Sequence, residues 1–358
     1  MRIYYCLYIL VLIIPYVVSR FNYDINVREK KMAIWLSAVV ILMIGLRHQS
    51  MGADLGYVSG NGYLSSFRYL SNCSWDEIWK MSSFMNYEKG YILYNKLISF
   101  ISNDPQCLLI VSAILSIAPV GYVIYKYSYN QRFSWIIYLG MPCFLMNYSG
   151  LRQAIAIGMC CVALCFVEQK KWVKFVITIV VATFFHYTAF LGLLIYPAYC
   201  LKLNRQKRFI SVIVPIIIFV FKAPLFNVLS RIVKEGGRTA EANGAITLFL
   251  VFLLIYIFCT AYMEEDDPIT SGFLNVFLLA CCCQAFGGVY LTAMRVGYYF
   301  MIPITISLTN TISNIEDNDN RLISKVAVGA IFIIYGLYAL KTATWPMAYP
   351  YHFFWSDL

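Results

Sequence analysis

Two polar residues, Arg152 and Gln153, interrupt FLMNYSGLRQAIAIGMCCVALCF (144–166) where an apolar helix should begin. An ionised guanidinium in hydrocarbon costs several kcal/mol unless it has a partner, so a charge in such a place is a functional candidate by default. Others share its setting. Arg47 closes an apolar run, Arg295 opens one, and Arg238 lies with Arg231 and Lys234 between two more. Guanidinium groups match phosphate oxygens bidentately, and one phosphate or diphosphate head group would explain the set together. Taken singly, each is equally an interfacial arginine whose stem snorkels to the surface.

Acid–base chemistry has three candidates. His186, in TFFHYTAF, carries an imidazole whose near-neutral pKa suits a general base; the alternative is a hydrogen-bonded core histidine. Asp54, two residues after Gly52 in RHQSMGADLGYVSGNGY, and Glu88, in NYEKGYILYNKLI, are each able to orient an arginine or take a proton from a sugar hydroxyl. Both are also ordinary helix-start acids. Tyr299, with Tyr57, Tyr87, Tyr298 and Trp345, offers flat faces for sugar rings, or else belongs to an aromatic belt at the membrane interface. No metal is assigned: His48 and His352 are distant from His186 in sequence, and EEDD (264–267) and DND (317–319) fall in expected cytoplasmic loops.

The elements that must hold these groups follow from composition. Of 358 residues, 61% are hydrophobic and 13% charged. Soluble domains carry about 25% charged residues, so a water-soluble protein is excluded. The chain reads as one polytopic all-α integral membrane domain over 1–358, with about 12 transmembrane or membrane-embedded helices and a long outer loop, 47–106, carrying amphipathic helices. The apolar segments are 3–18, 32–46, 107–125, 133–148, 152–168, 175–186, 187–201, 209–226, 245–262, 271–287, 295–311 and 324–340. The first lacks a small-residue cleavage site and reads as a helix, not a removable signal. Net charge of +10 is a topology signal first, and no basic run is long enough to bind nucleic acid. Most cysteines lie inside apolar runs as small hydrophobes.

Three basic loops, SRFNYDINVREKK, QKKWVK (169–174) and KLNRQKR (202–208), are cytoplasmic by the positive-inside rule. The last two flank the run 175–200. As a single helix of about 39 Å this run would put them on opposite faces. As two short arms turning near FFHYT it keeps both inside, and the hairpin is preferred. The N-terminus is then outside, and the arginines above fall on the face the rule leaves poor in cations.

Short motifs recur in order from about residue 45 onward: GLRHQSMGADLGY, an R-x4-G-x-D-x2-Y arrangement on Arg47, Gly52, Asp54 and Tyr57; EKGY with Asn95; LRQAIA; FHYTA; RVGYY; YPYHFF. In these the chain resembles the EpsG family of Wzy-like polysaccharide polymerases, with alanine at position 53 where a threonine or similar residue is expected. The resemblance implies a multi-pass glycosyltransferase of the bacterial cytoplasmic membrane. It would join oligosaccharide repeat units carried on undecaprenyl diphosphate, at the outer face, into O-antigen, capsule or exopolysaccharide. It also implies no nucleotide sugar, no metal and no cofactor, and a chain-length regulator protein among the partners.

Residue chemistry agrees. Breaking the bond between an anomeric carbon and diphosphate leaves negative charge on the leaving group, which preorganised arginines stabilise. Arg47, Arg152 and Arg295 are expected to hold the diphosphate, with Gln153 and Arg238 beside them. His186 is the first choice for the proton of the attacking hydroxyl, and Asp54 or Glu88 the second. Three rivals use similar groups. A ligase has the same leaving group, a flippase needs a cationic cavity and broken helices, and a membrane acyltransferase uses an intramembrane histidine.

Overall fold

The computed structural model describes residues 1–22, 24–57, 60–81, 87–233 and 244–356. Helices α1 (Arg2–Phe21) and α2 (Ile25–Gly45) pack on each other across a short turn, where Asp24 accepts from the amides of Asn26 and Val27. Beyond them the segment expected as a long loop is folded. It holds a 3-10 turn (Ala53–Leu55) and helices α3 (Tyr63–Asn72), α4 (Trp75–Met81) and α5 (Lys89–Ser99). Leu55, Leu64, Phe67 and Tyr91 from this cap bury against Leu108, Leu109, Leu151 and Ile155.

Those partners belong to α6 (Pro105–Tyr127) and α9 (Leu151–Glu168), the central pair. Asp104 accepts from the amide of Gln106 and Pro105 occupies the first turn, a position where its missing N–H is not needed. The two helices touch at backbone distance, because a Cβ on Gly158 would sit 2.5 Å from the carbonyl oxygen of Leu115. This is the close approach that Ala154 and Gly158, small residues at four-residue spacing, allow. Between them, α7 (Gln131–Leu139) and α8 (Pro142–Ser149) divide the segment expected at 133–148, since Pro142 cannot continue the preceding helix and starts a new one.

The run after α9 is a hairpin. Helix α10 (Trp172–Thr183) ends before His186, and a 3-10 stretch (Tyr187–Leu194) leads into α11 (Ile195–Cys200). The rings of Phe175 and Tyr196 lie 5.3 Å apart, so the second arm returns beside the first. At 1.5 Å per residue α10 rises about 18 Å, well short of a hydrocarbon core of about 30 Å.

The remaining helices are α12 (Arg205–Ser211), α13 (Ile213–Val220), α14 (Lys222–Val233), α15 (Ala245–Tyr262), α16 (Pro268–Gln284), α17 (Leu291–Gly297), α18 (Pro303–Ser313) and α19 (Asn318–Thr342). Among the described residues five helices, α1, α6, α9, α15 and α19, are long and apolar enough to cross a membrane. The number is seven if the pair bent by 72° before Lys222 and the pair bent by 53° before Pro303 each count once. The twelve expected segments thus resolve into fewer full spans and several short pieces. A hydropathy average does not register a bend, and it cannot tell a span from half of one.

Candidate active site

The polar candidates gather at the end of the bundle where α2 stops and α6 and α9 begin. Arg152 stands in the first turn of α9 and reaches into the cap. Its guanidinium is ion-paired with Glu88, its Nε donates to the Tyr63 hydroxyl at 3.2 Å, and it lies 4.6 Å over the ring of Tyr87. The two charged side chains remain 19% and 20% exposed, so the pair is reachable. Burial lifts the Tyr63 phenol to about 12, against the pull of Arg152, and the ring stays neutral.

Glu88 occupies the N-cap of α5, yet its carboxylate does not cap that helix. One oxygen takes Arg152 and the other accepts from the Tyr187 amide at 2.9 Å. The carboxylate therefore ties the cap to the hairpin turn. Gly90 makes the approach possible, since a Cβ there would lie 2.6 Å from that of Phe184.

His186, at that turn, has Nδ1 2.9 Å from the Thr188 hydroxyl and 3.3 Å from the Tyr299 hydroxyl, and the two hydroxyls are 3.1 Å apart. The charges that bear on its ring are Glu88, Arg152 and Arg295. Tyr299 is 1% exposed, so its face is closed to a sugar and only its hydroxyl takes part.

Arg295, on α17, lies 4.6 Å over the ring of Trp345, and no carboxylate pairs with it among the described residues. Its main-chain oxygen accepts from Gln153 Nε2 at 2.8 Å. Gln153, expected among the substrate ligands, is buried and spends its amide on tying α9 to α17, which fixes Arg152 and Arg295 relative to each other.

Arg47 is not brought to this group. It is fully buried, and its donors go to three backbone carbonyls: Met51 at 3.3 Å, Tyr148 at 3.1 Å, and Ile44. Burial lowers the guanidinium to about 10, which leaves it cationic at neutral pH. Gly52 explains its place in the motif, because a Cβ there would meet the Tyr148 oxygen at 2.1 Å and its φ is +127°. The C-terminal tail closes over this turn, with an antiparallel bridge between Arg47 and Phe353, the His48 amide donating to His352 at 2.8 Å, and Tyr351 donating to Met43 at 2.7 Å. Asp54 donates its amide to Ser149 at 3.0 Å, and its carboxylate acts on Tyr63, on the Arg152 side of the cap. Arg238 and Lys234 lie outside the described residues.

An apolar groove of about 430 Å³ opens beside Glu88 and Lys89, walled by Ile179, Val180, Phe184, Phe190 and Leu193 of the hairpin. Two site residues had no signal of their own in the sequence. Tyr63 lies in the glycine-rich stretch with Asp54, and Thr188 lies inside FHYTA. Of the acidic clusters, Asp267 and Asp317 accept from the amides of Thr270 and Asn320 in the first turns of α16 and α19.

The motifs that are far apart in sequence meet in two groups, GLRHQ with YPYHFF, and LRQAIA with EKGY, FHYTA and RVGYY. No curated protein and no solved structure matches this chain. The sequence pattern of the EpsG family matches residues 30–353, nearly the whole chain, and the protein therefore belongs to the EpsG family of Wzy-like polysaccharide polymerases.

Proposed function

We propose that the protein polymerises oligosaccharide repeat units carried on undecaprenyl diphosphate, at the outer face of the bacterial cytoplasmic membrane, for an O-antigen, capsule or exopolysaccharide. The observation that carries this reading is that Arg152 and Arg295 both bear on His186, with Glu88 paired to Arg152 at a reachable place and the apolar groove beside Glu88. A diphosphate fits the two guanidinium groups, and a polyprenyl chain fits the groove. In the step, the acceptor hydroxyl oxygen bonds to the anomeric carbon while the bond to the diphosphate oxygen breaks. The electron pair stays on the diphosphate, where the arginines stabilise it. The hydroxyl proton passes to one of the groups around the cations, His186, Glu88 or Asp54. Arg47 supports the loop behind them, and a chain-length regulator would act from outside this set.

Purified protein in liposomes, given lipid-linked single repeats, should lengthen them, and a strain lacking it should accumulate single repeats. Unligated long chains in that strain would indicate a ligase instead. One observation favours transport of the same lipid, namely the two bent helix pairs, since transporters build their sites from broken helices. Arg152 begins an unbroken helix, however, and chain extension by purified protein would exclude transport as the sole activity.

A further inference from the structure

We infer that α14 is a membrane-surface helix: its side bearing Leu225 and Val228 rests in the leaflet at the Arg295 end of the bundle, and its partner is the phospholipid of that leaflet. This placement follows from α12 to α17 alone and holds whatever reaction the protein catalyses.

Between Arg208 and Lys222 the chain carries no charge. Helix α13, inside that stretch, buries only Pro215, while Ile213, Ile217, Val220 and Phe221 are each half-exposed or more. So continuous an open apolar surface marks an interaction face, and in a chain of this composition its partner is lipid. At Lys222 the helix axis turns by 72°. The turn comes where the neighbouring spans stop. Lys222 Nζ donates to the Gly287 carbonyl, just past the end of α16, at 2.9 Å. Gln284, the last residue of α16, donates to the carbonyl of Ala245, the first residue of α15, at 3.1 Å. Helix α15 rises about 27 Å over its length, close to the thickness of a hydrocarbon core of about 30 Å. A helix that leaves this level at 72° runs along the bilayer surface and not back through it.

The sides of α14 agree with that course. Leu225 and Val228, three residues apart and so on one side, are 37% and 56% exposed and continue the open surface of Val220 and Phe221 around the bend. Phe226 turns inward, its ring 5.1 Å from that of Tyr290. Asn227 is exposed on the side opposite Leu225. One open apolar side, one packed side and one polar side suit a helix lying in the interface. Lys222 stands at the bend, with no carboxylate paired to it among the described residues, and a lysine at this depth extends its ammonium to the lipid phosphates. Tyr290 is the N-cap of α17, which carries Arg295 in its last turn. Through Phe226 and Lys222 the surface helix therefore seats the turn that begins the Arg295 helix.

The test reads depth. Full-length protein with one environment-sensitive fluorescent amino acid in place of Leu225, Val228, Asn227 or, as a mid-membrane reference, Ile213 is reconstituted in phosphatidylcholine–phosphatidylglycerol vesicles. Three quenchers are compared: lipid brominated close to the headgroup, lipid brominated near the chain ends, and aqueous iodide. At Leu225 and Val228 the headgroup-proximal bromine should quench most strongly, at Ile213 the chain-end bromine, and at Asn227 iodide. Iodide quenching of Leu225 and Val228 equal to that of Asn227 would put the helix in water. Chain-end bromine quenching them as it does Ile213 would make α14 a re-entrant arm, and either result overturns the assignment. Two lipid-facing positions, each checked for an unchanged melting temperature in detergent, keep the test open if one label disturbs folding. A protein that extends no glycan would sink the polymerase reading alone, since depth is measured without turnover.

Discussion

A guanidinium has five donors and no way to shed its charge, so its role is read from where the donors go. Arg152 divides its own between a carboxylate and a phenol and stays partly open. Arg295 rests on an indole, with no carboxylate of its own among the described residues. Arg47 is consumed by main-chain oxygens. Arg152→Ala should abolish long polymer, with a loss of about 10²–10³-fold in extension rate and single-repeat glycolipid still accumulating; long chains from a well-expressed variant would remove it from the site. Arg295→Lys should fail nearly as badly if the planar fork matters, since an ammonium offers only a point charge. Arg47→Met should act on folding instead, costing on the order of 2–3 kcal/mol for carbonyls left unpaired, visible as a lower melting temperature in detergent. Nothing in residue type separates these three arginines beforehand. Apolar surroundings flagged all of them, and only the path of the backbone around Tyr148 divides them.

Elements place these side chains by close backbone contact. Helix α9 carries Arg152 and is held against α6 at Gly158, so Gly158→Val should push the pair apart. We expect a loss of about 1–3 kcal/mol from overpacking, measured as thermal stability, together with reduced extension because the ion pair to Glu88 depends on that register. The hairpin of α10 and α11 was legible, because the positive-inside rule favours one side for the two basic loops that flank these 26 residues. The fold of the 46–104 segment was legible only as amphipathic pieces, since its burial depends on Leu108, Leu109, Leu151 and Ile155, residues that read as ordinary span. The bends before Lys222 and Pro303 were hidden for a simpler reason: the apolar run continues straight through them.

Over the whole molecule, chain ends and distant loops meet. The Tyr4 hydroxyl donates to the Ala348 carbonyl, and the tail that carries Trp345 is bridged to the turn after α2. His48 sits in that bridge, and burial together with His352 holds its ring below the ordinary imidazole range. The folded state therefore favours the neutral ring. Its contribution is full above about pH 6.5 and is lost as pH falls below that, because the unfolded chain takes up the proton first. Limited proteolysis of the tail should speed up near pH 5, and His48→Gln should flatten that dependence; an unchanged cleavage profile would separate the histidine from the tail. Such meetings were not legible, because each motif is short and its partner lies as many as 308 residues away. The groove beside Glu88 has a further consequence. It opens along the hairpin's flank among half-exposed Val180, Phe184, Phe190 and Leu193, so a lipid-borne donor would enter sideways after a two-dimensional search. Its effective abundance is then a mole fraction of the surrounding lipid, and diluting the bilayer with inert phospholipid should slow turnover even when the bulk amount of donor is held constant.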